Sequence, residues 1–143
     1  MQMIHDAVVS HMMENDFFSQ WMGVEVLEVK EGYSKIKMTI REEMVNGFGI
    51  VHGGLPFSLA DSAFAFACNS RNHATVASAC GIDYLRPARE GDLLTAEAVE
   101  QSLAGKTGVY DIAVTNQEGK SIALFRGKSH RVQGEVIDIG SDA

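Results

Sequence analysis

Residues 33–41 alternate without a break: Ser34, Ile36, Met38 and Ile40 fall on one side of an extended chain, and Tyr33, Lys35, Lys37 and Thr39 on the other. Such a period of two marks a strand with one buried face. Residues 24–30 predict a strand before it, joined through the turn pair Glu31-Gly32, although its alternation slips between Val26 and Leu27. Further upstream, Ile4, Val8 and Met12 recur at helical spacing and lead to Phe17, Phe18 and Trp21. One amphipathic helix over about residues 2–22, stopped by Gly23, is therefore expected to lie across the domain.

A different pattern occupies residues 52–70, where Ala, Leu and Phe dominate and Ser58, Asp61 and Ser62 are the polar residues before Asn69 and Ser70. A helix with so little polar face is expected to be buried nearly all round. Four strand-like runs follow at residues 75–85, 93–103, 107–116 and 120–132, parted by turns at Glu90-Gly91-Asp92, Ala104-Gly105 and Glu118-Gly119. Residues 133–143 make a polar tail expected to fray. The order of helix, two strands, buried helix and four closely connected strands predicts a single α+β domain over residues 1–143, an antiparallel sheet wrapped around one central helix.

Composition narrows the function classes. A chain of 143 residues with 45% hydrophobic and 22% charged residues suits one ordinary globular domain. Its net charge of -7 argues against nucleic acid as a partner, because neutralising phosphates needs a basic face. An anionic cofactor-bearing substrate stays open, since a local cluster of Arg and Lys can outvote the global sign. No stretch approaches the length of a membrane span, and the opening residues do not read as a signal peptide, so a cytoplasmic protein is expected. Cys68 and Cys80 lie in no CxxC or Cys/His cluster and read as reduced, buried packing residues. The five histidines, at 5, 11, 52, 73 and 130, show no ligand spacing, so no metal is expected.

Candidate chemistry gathers in Asn46-Gly47-Phe48-Gly49-Ile50-Val51-His52-Gly53-Gly54 and in Asp61. Glycines at a helix start let a ligand approach the backbone, and the first-turn N–H groups there lack intrahelical acceptors. With the helix dipole behind them they can hold a developing oxyanion. Asp61 is the second anomaly, because a carboxylate among Leu59, Ala60, Ala63 and Phe64 is costly unless it is paired, hydrogen-bonded or solvated. Two readings fit it: a functional acid-base group, or a structural carboxylate satisfied by nearby hydroxyls or backbone. His52 likewise fits either a turn-shaping role or chemistry. Eight positions of helix separate Gly53 from Asp61, about 12 Å at the standard rise, so one chain cannot bring both to one carbonyl. If they share a site, two chains must build it.

Asn46, His52-Gly53-Gly54 and Asp61 at these spacings resemble the hotdog thioesterase superfamily, particularly the phenylacetate-degradation thioesterases. Phe57-Ser58-Leu59-Ala60-Asp61, Ala77-Ser78-Ala79-Cys80, Asp83-Tyr84-Leu85-Arg86-Pro87 and Thr107-Gly108-Val109-Tyr110-Asp111-Ile112 carry the resemblance onward, and so does the run from Ala123 to His130. It implies a hotdog fold and hydrolysis of phenylacetyl- or hydroxyphenylacetyl-coenzyme A. Asp61 would serve as general base or as nucleophile, the Gly53 N–H as oxyanion donor, and Asn46 as a positioning group, with His52 and Gly54 beside them. No cofactor is implied beyond the coenzyme A of the substrate, and the protein is expected to be a homodimer or a homotetramer formed as a dimer of dimers. Relatives that place a hydroxyl one turn after the carboxylate differ from this chain, which has Ala65 there. A water-orienting role at that position is then lost, or moved to Ser62.

Arg86, Arg126 and Lys128 are the candidates for the coenzyme A phosphates, against the alternative of solvated strand charges. Phe48, Phe57, Phe64 and Phe66 either wall an aromatic acyl pocket or form plain core. Competing functions are a medium- or long-chain acyl-CoA thioesterase, a non-catalytic acyl-CoA-binding protein, and a hotdog dehydratase. The last would place its His and carboxylate farther apart than His52 and Asp61.

Overall fold

A computed structural model describes residues 2–139 of the chain. The elements run α1 (Ile4–Asn15), α2 (Phe17–Met22), β1 (Glu25–Lys30), β2 (Tyr33–Thr39), α3 (Gly54–Cys68), β3 (His73–Tyr84), β4 (Leu93–Ala104), β5 (Thr107–Thr115) and β6 (Ser121–Glu135). All six strands join one antiparallel sheet in the order β1-β2-β4-β5-β6-β3. After β2 the chain leaves the sheet through α3 and re-enters at the far edge as β3, which puts the helix against the sheet's inner face and leaves β3 with one unpaired side.

Alternation decides which side chains meet that helix. Ser34, Ile36 and Met38 of β2 are buried, as are Leu94, Ala96 and Ala98 of β4 and Tyr110, Ile112 and Val114 of β5. Their sequence neighbours point outward, as the period of two requires. The slip between Val26 and Leu27 is a β-bulge in the β1–β2 ladder, where register shifts between Val26 and Glu28. Phe64 of α3 packs flat on the sheet at Gly127, where an added Cβ would sit 2.8 Å from its ring. Only a residue without a side chain lets the helix come that close.

Several expectations are corrected. The single N-terminal helix is two, because Asp16 leaves helical geometry and its carboxylate caps α2 by accepting from the Ser19 N–H at 2.9 Å. The tail is tied down over part of its length: β6 runs to Glu135, and Asn72 holds Ile137 through both its amide oxygen and its amide nitrogen. Residues 140–143 lie outside the described residues. Cys80 is exposed rather than buried, while Cys68 is half-buried. Phe64 and Phe66 are core, Phe57 sits edge-on to Phe125, and Phe48 is 90% exposed at a loop tip, so these four rings do not wall one pocket.

Candidate active site

The loop before α3 is closed by its own backbone. Val45 and Val51 form an isolated antiparallel bridge, and the Asn46 N–H donates to Ile50 O at 2.8 Å. Asn46 Oδ1 accepts from the Phe48 N–H at 2.9 Å, which holds the turn. Its Nδ2 has no acceptor among the described residues and is the part of the amide left for a ligand.

The helix start allots its donors unequally. His52 Nδ1 accepts from the Gly54 N–H at 2.9 Å, so this His side chain caps the helix and the Gly54 donor is already engaged. The Gly53 N–H has no acceptor among the described residues. Its carbonyl accepts from the Tyr84 hydroxyl at 2.7 Å, which anchors the Gly53–Gly54 peptide next to the free donor, while the donor's own peptide is held by the Leu55 N–H on His52 O at 2.9 Å. Tyr84 entered the sequence analysis only within a run that carries the family resemblance, with no site role. Nothing local in the sequence joins β3 to a glycine 31 residues earlier, and only the crossover topology brings them together.

A cavity of about 370 Å³ opens here, lined by Asn46, Gly53, Tyr84, Leu85, Arg86 and their neighbours. Arg86 stands at it with one guanidinium nitrogen on Ser121 O at 3.2 Å. The structure thus brings Asn46, Gly53 and Arg86 together. Arg126 and Lys128 lie elsewhere, on the outward positions of β6. Arg126 forms a two-point pair with Asp111, Nε–Oδ1 2.6 Å and Nη2–Oδ2 2.8 Å. A larger cleft of about 700 Å³ lies on that outer face around Asp83, Glu97, Asp111 and Arg126. It gathers three carboxylates, so the smaller cavity, with the free Gly53 N–H, is the better site for an acyl carbonyl.

Asp61 stands two turns along α3, half-buried, with no hydrogen bond or ion pair among the described residues. Burial raises its pKa above the ordinary carboxylate value, and the charge of Asp16 raises it further. The structural reading, a carboxylate satisfied by neighbouring hydroxyls, therefore does not describe it. Ser62 Oγ lies 2.7 Å from Ser19 Oγ, which in turn is 2.6 Å from Asp16 Oδ2, so the adjacent hydroxyls are engaged with each other. Nearby thiols are poor nucleophiles: burial pushes Cys68 up to about 12, and burial with the Asp61 charge raises Cys80.

One stripe of α3 is not fully covered. Gly54, Phe57, Ser58, Asp61, Ala65 and Cys68 are exposed or half-buried, at helical spacing, while the rest of the helix is buried. This differs from the expected all-round burial. Cys80, paired with Gly127, is on the same inner side of the sheet and is also open. The β3 edge beside it is exposed along most of its length, with Val76 50% and Tyr84 54% exposed.

The Thioesterase superfamily family model matches residues 48–123. The acyl-coenzyme A thioesterase PaaI of Escherichia coli K12 is 50% identical over 87% of this chain and 89% of its own. The structure of the E. coli PaaI protein from the phenylacetic acid degradation operon superposes with a TM-score of 0.90 at 48% identity, covering 92% of this chain and 95% of that one. A mutant form of the phenylacetic acid degradation protein PaaI of Thermus thermophilus superposes with a TM-score of 0.79 at 38% identity, covering 82% and 100%.

Proposed function

The chain belongs to the thioesterase superfamily and has its hotdog fold, and from that premise we propose that it hydrolyses acyl-coenzyme A thioesters with phenylacetyl- or hydroxyphenylacetyl-type acyl groups. The observation that carries the mechanism is the unsatisfied pair on α3: among the described residues, a carboxylate without a partner at Asp61 and a backbone donor without an acceptor at Gly53. The thioester oxygen would accept from the Gly53 N–H, with Asn46 Nδ2 beside it. Asp61 would then either take a proton from the attacking water or attack the carbonyl itself. In the first case the water oxygen bonds to the acyl carbon, the oxyanion is held by the helix start, and the coenzyme A thiolate leaves and recovers a proton. His52 acts by capping the helix that presents the donor. Coenzyme A enters as part of the substrate, and no other cofactor is required.

Both groups cannot come from one chain, since the helix separates them by about 12 Å. The open stripe on α3 and the bare edge of β3 support a homodimer in which two such helices run antiparallel across a two-fold axis. A dimer of dimers would extend this to a homotetramer. Arg86 at the Gly53 cavity is the first candidate for a coenzyme A phosphate. Arg126 and Lys128 would serve only a substrate whose nucleotide end reaches the outer face. Among the described residues no helix is long and apolar enough to cross a membrane, and we place the activity in the cytoplasm.

Thiol release from a panel of aryl and straight-chain acyl-CoA esters tests the substrate class, and preference for straight chains would move the assignment to a medium- or long-chain thioesterase. Complementation tests the shared site. Gly53→Pro removes the proposed donor, and mixing it with an Asp61 variant should restore about a quarter of wild-type activity, since half the dimers are mixed and each regains one of two sites. Continued inactivity with demonstrated subunit exchange, from a Pro variant shown to fold, would mean that the two groups do not form a site across two chains, either because both act within one chain after all or because one of them is not catalytic.

A further inference from the structure

The residue after Asp61 begins a chain of buried hydroxyls that leads to α2. Ser19 is fully buried and Ser62 nearly so. Ser19 meets both carboxylate oxygens of Asp16, its N–H at 2.9 Å and its Oγ at 2.6 Å, and its Oγ lies 2.7 Å from Ser62 Oγ. An ionised carboxylate only accepts, so the single Ser19 hydroxyl proton goes to Asp16. Ser62 must then donate to Ser19. Its proton is committed, and it cannot orient water beside Asp61 by donating, contrary to the role expected for it.

Capping alone does not explain Asp16. Asn would cap α2 about as well, yet a negative charge is held here by two bonds and its field reaches Asp61. We infer that Asp16, acting through Ser19 and Ser62, is a positioning residue for Asp61: the three side chains pin α2 to the turn of α3 that carries the carboxylate, and they fix a second negative charge beside it. Among the described residues, the inward ionisable groups of the sheet are spent on other partners: Glu100 of β4 accepts from Arg71 at 2.7 Å and from the Tyr110 hydroxyl of β5 at 2.8 Å, at the C-terminal end of α3. From β1 the inward residue is Val29, and β3 presents Cys80 and Tyr84, the latter bonded to Gly53 O at 2.7 Å. Asp16 is the charge that raises Asp61, behind burial. Cys68 stands on α3 itself. A like charge so placed makes the carboxylate a stronger base and sets the acidic limb of the pH profile.

This rests on the reading of Asp61 as the hydrolytic carboxylate, so the test has a readout apart from activity. Asp61 is titrated by carboxyl carbon NMR in the wild type and in Asp16→Asn, with Asp61→Asn to assign the signal. The acidic limb of kcat/KM is recorded for wild type and Asp16→Asn with a phenylacetyl thioester. Asp16→Asn keeps the cap on the Ser19 N–H but loses the charge and turns the second contact from an acceptor into an amide donor to Ser19 Oγ, and both titration and limb should move down by roughly half a pH unit. Ser19→Ala and Ser62→Ala keep the charge and cut the tie, and kcat should fall by about fivefold with KM nearly constant. If the Asp61 titration in Asp16→Asn coincides with that of the wild type, or if both Ser variants lose only thermal stability, the inference is overturned. Full turnover by Asp61→Asn would instead sink the catalytic reading, and the NMR titration would still decide whether Asp16 acts on Asp61.

Discussion

Two half-buried carboxylates on neighbouring parts of the fold are treated in opposite ways. Glu100, on β4 beyond the C-terminal end of α3, accepts from Arg71 at 2.7 and 3.3 Å and from the Tyr110 hydroxyl at 2.8 Å. Burial pushes its pKa up, but the Arg71 and Tyr110 hydrogen bonds outweigh it, and the net shift is downward. Asp61 is also desolvated, receives no hydrogen bond among the described residues, and faces the charge of Asp16, so its shift is upward. Glu100 is built for stability. Asp61 costs stability when ionised, as a carboxylate with the hydrolytic role proposed for it would.

The largest expected effect comes from Asp61→Asn, which should lower kcat by at least about 100-fold, on the order of 3 kcal/mol of transition-state stabilisation. Its effect on folding should have the other sign. A carboxyl raised in the folded state adds stability that is present below its unfolded pKa and is lost as pH rises through the folded value. At neutral pH the variant should therefore melt about one or two degrees higher than the wild type, with the gain vanishing below about pH 4. A lower melting point at pH 7 would break the contrast.

Glu100→Ala should do the reverse, costing about 2 kcal/mol in urea unfolding because it strands Arg71 and Tyr110, with kcat per folded molecule unchanged. Since the Glu100 pKa is depressed, its contribution is present above the unfolded value and is lost as pH falls through the folded one. The variant and wild type should converge in acid. His52→Ala should cost about 1 kcal/mol as a lost cap, with a smaller fall in turnover than Asp61→Asn; an equal loss would give His52 a part in the chemistry. The smallest effect is expected from Arg126→Ala, whose exposed pair with Asp111 should leave the melting midpoint unchanged within error. Arg86→Ala should raise KM instead, and the reverse ranking of the two arginines would move the nucleotide end of the substrate to the outer face.

How much of this was legible follows from how local each signal is. The inward face of β2 and even the bulge near Val26 were readable, because a period of two and its interruption lie within a few residues. The anomaly of Asp61 was readable from its neighbours. The break at Asp16 was missed because the hydrophobic spacing continues across it, although an Asp directly before Phe17 and Phe18 is a helix-cap signal.

Other features were decided by residues far apart in the chain. The Tyr84 bond to Gly53, the Ser19–Ser62 contact across 43 positions, and the exposure of Cys80 all depend on the crossover of α3 and the strand order it imposes. By itself the sequence determined the strands and the central helix and marked Gly53 and Asp61 as candidates, because helical and strand periods and local glycine geometry are short-range properties. Only tertiary structure decided which donors are spent and which stay free. Hydrogen-bond satisfaction is settled by whichever groups packing brings within about 3 Å, and sequence spacing does not encode that distance.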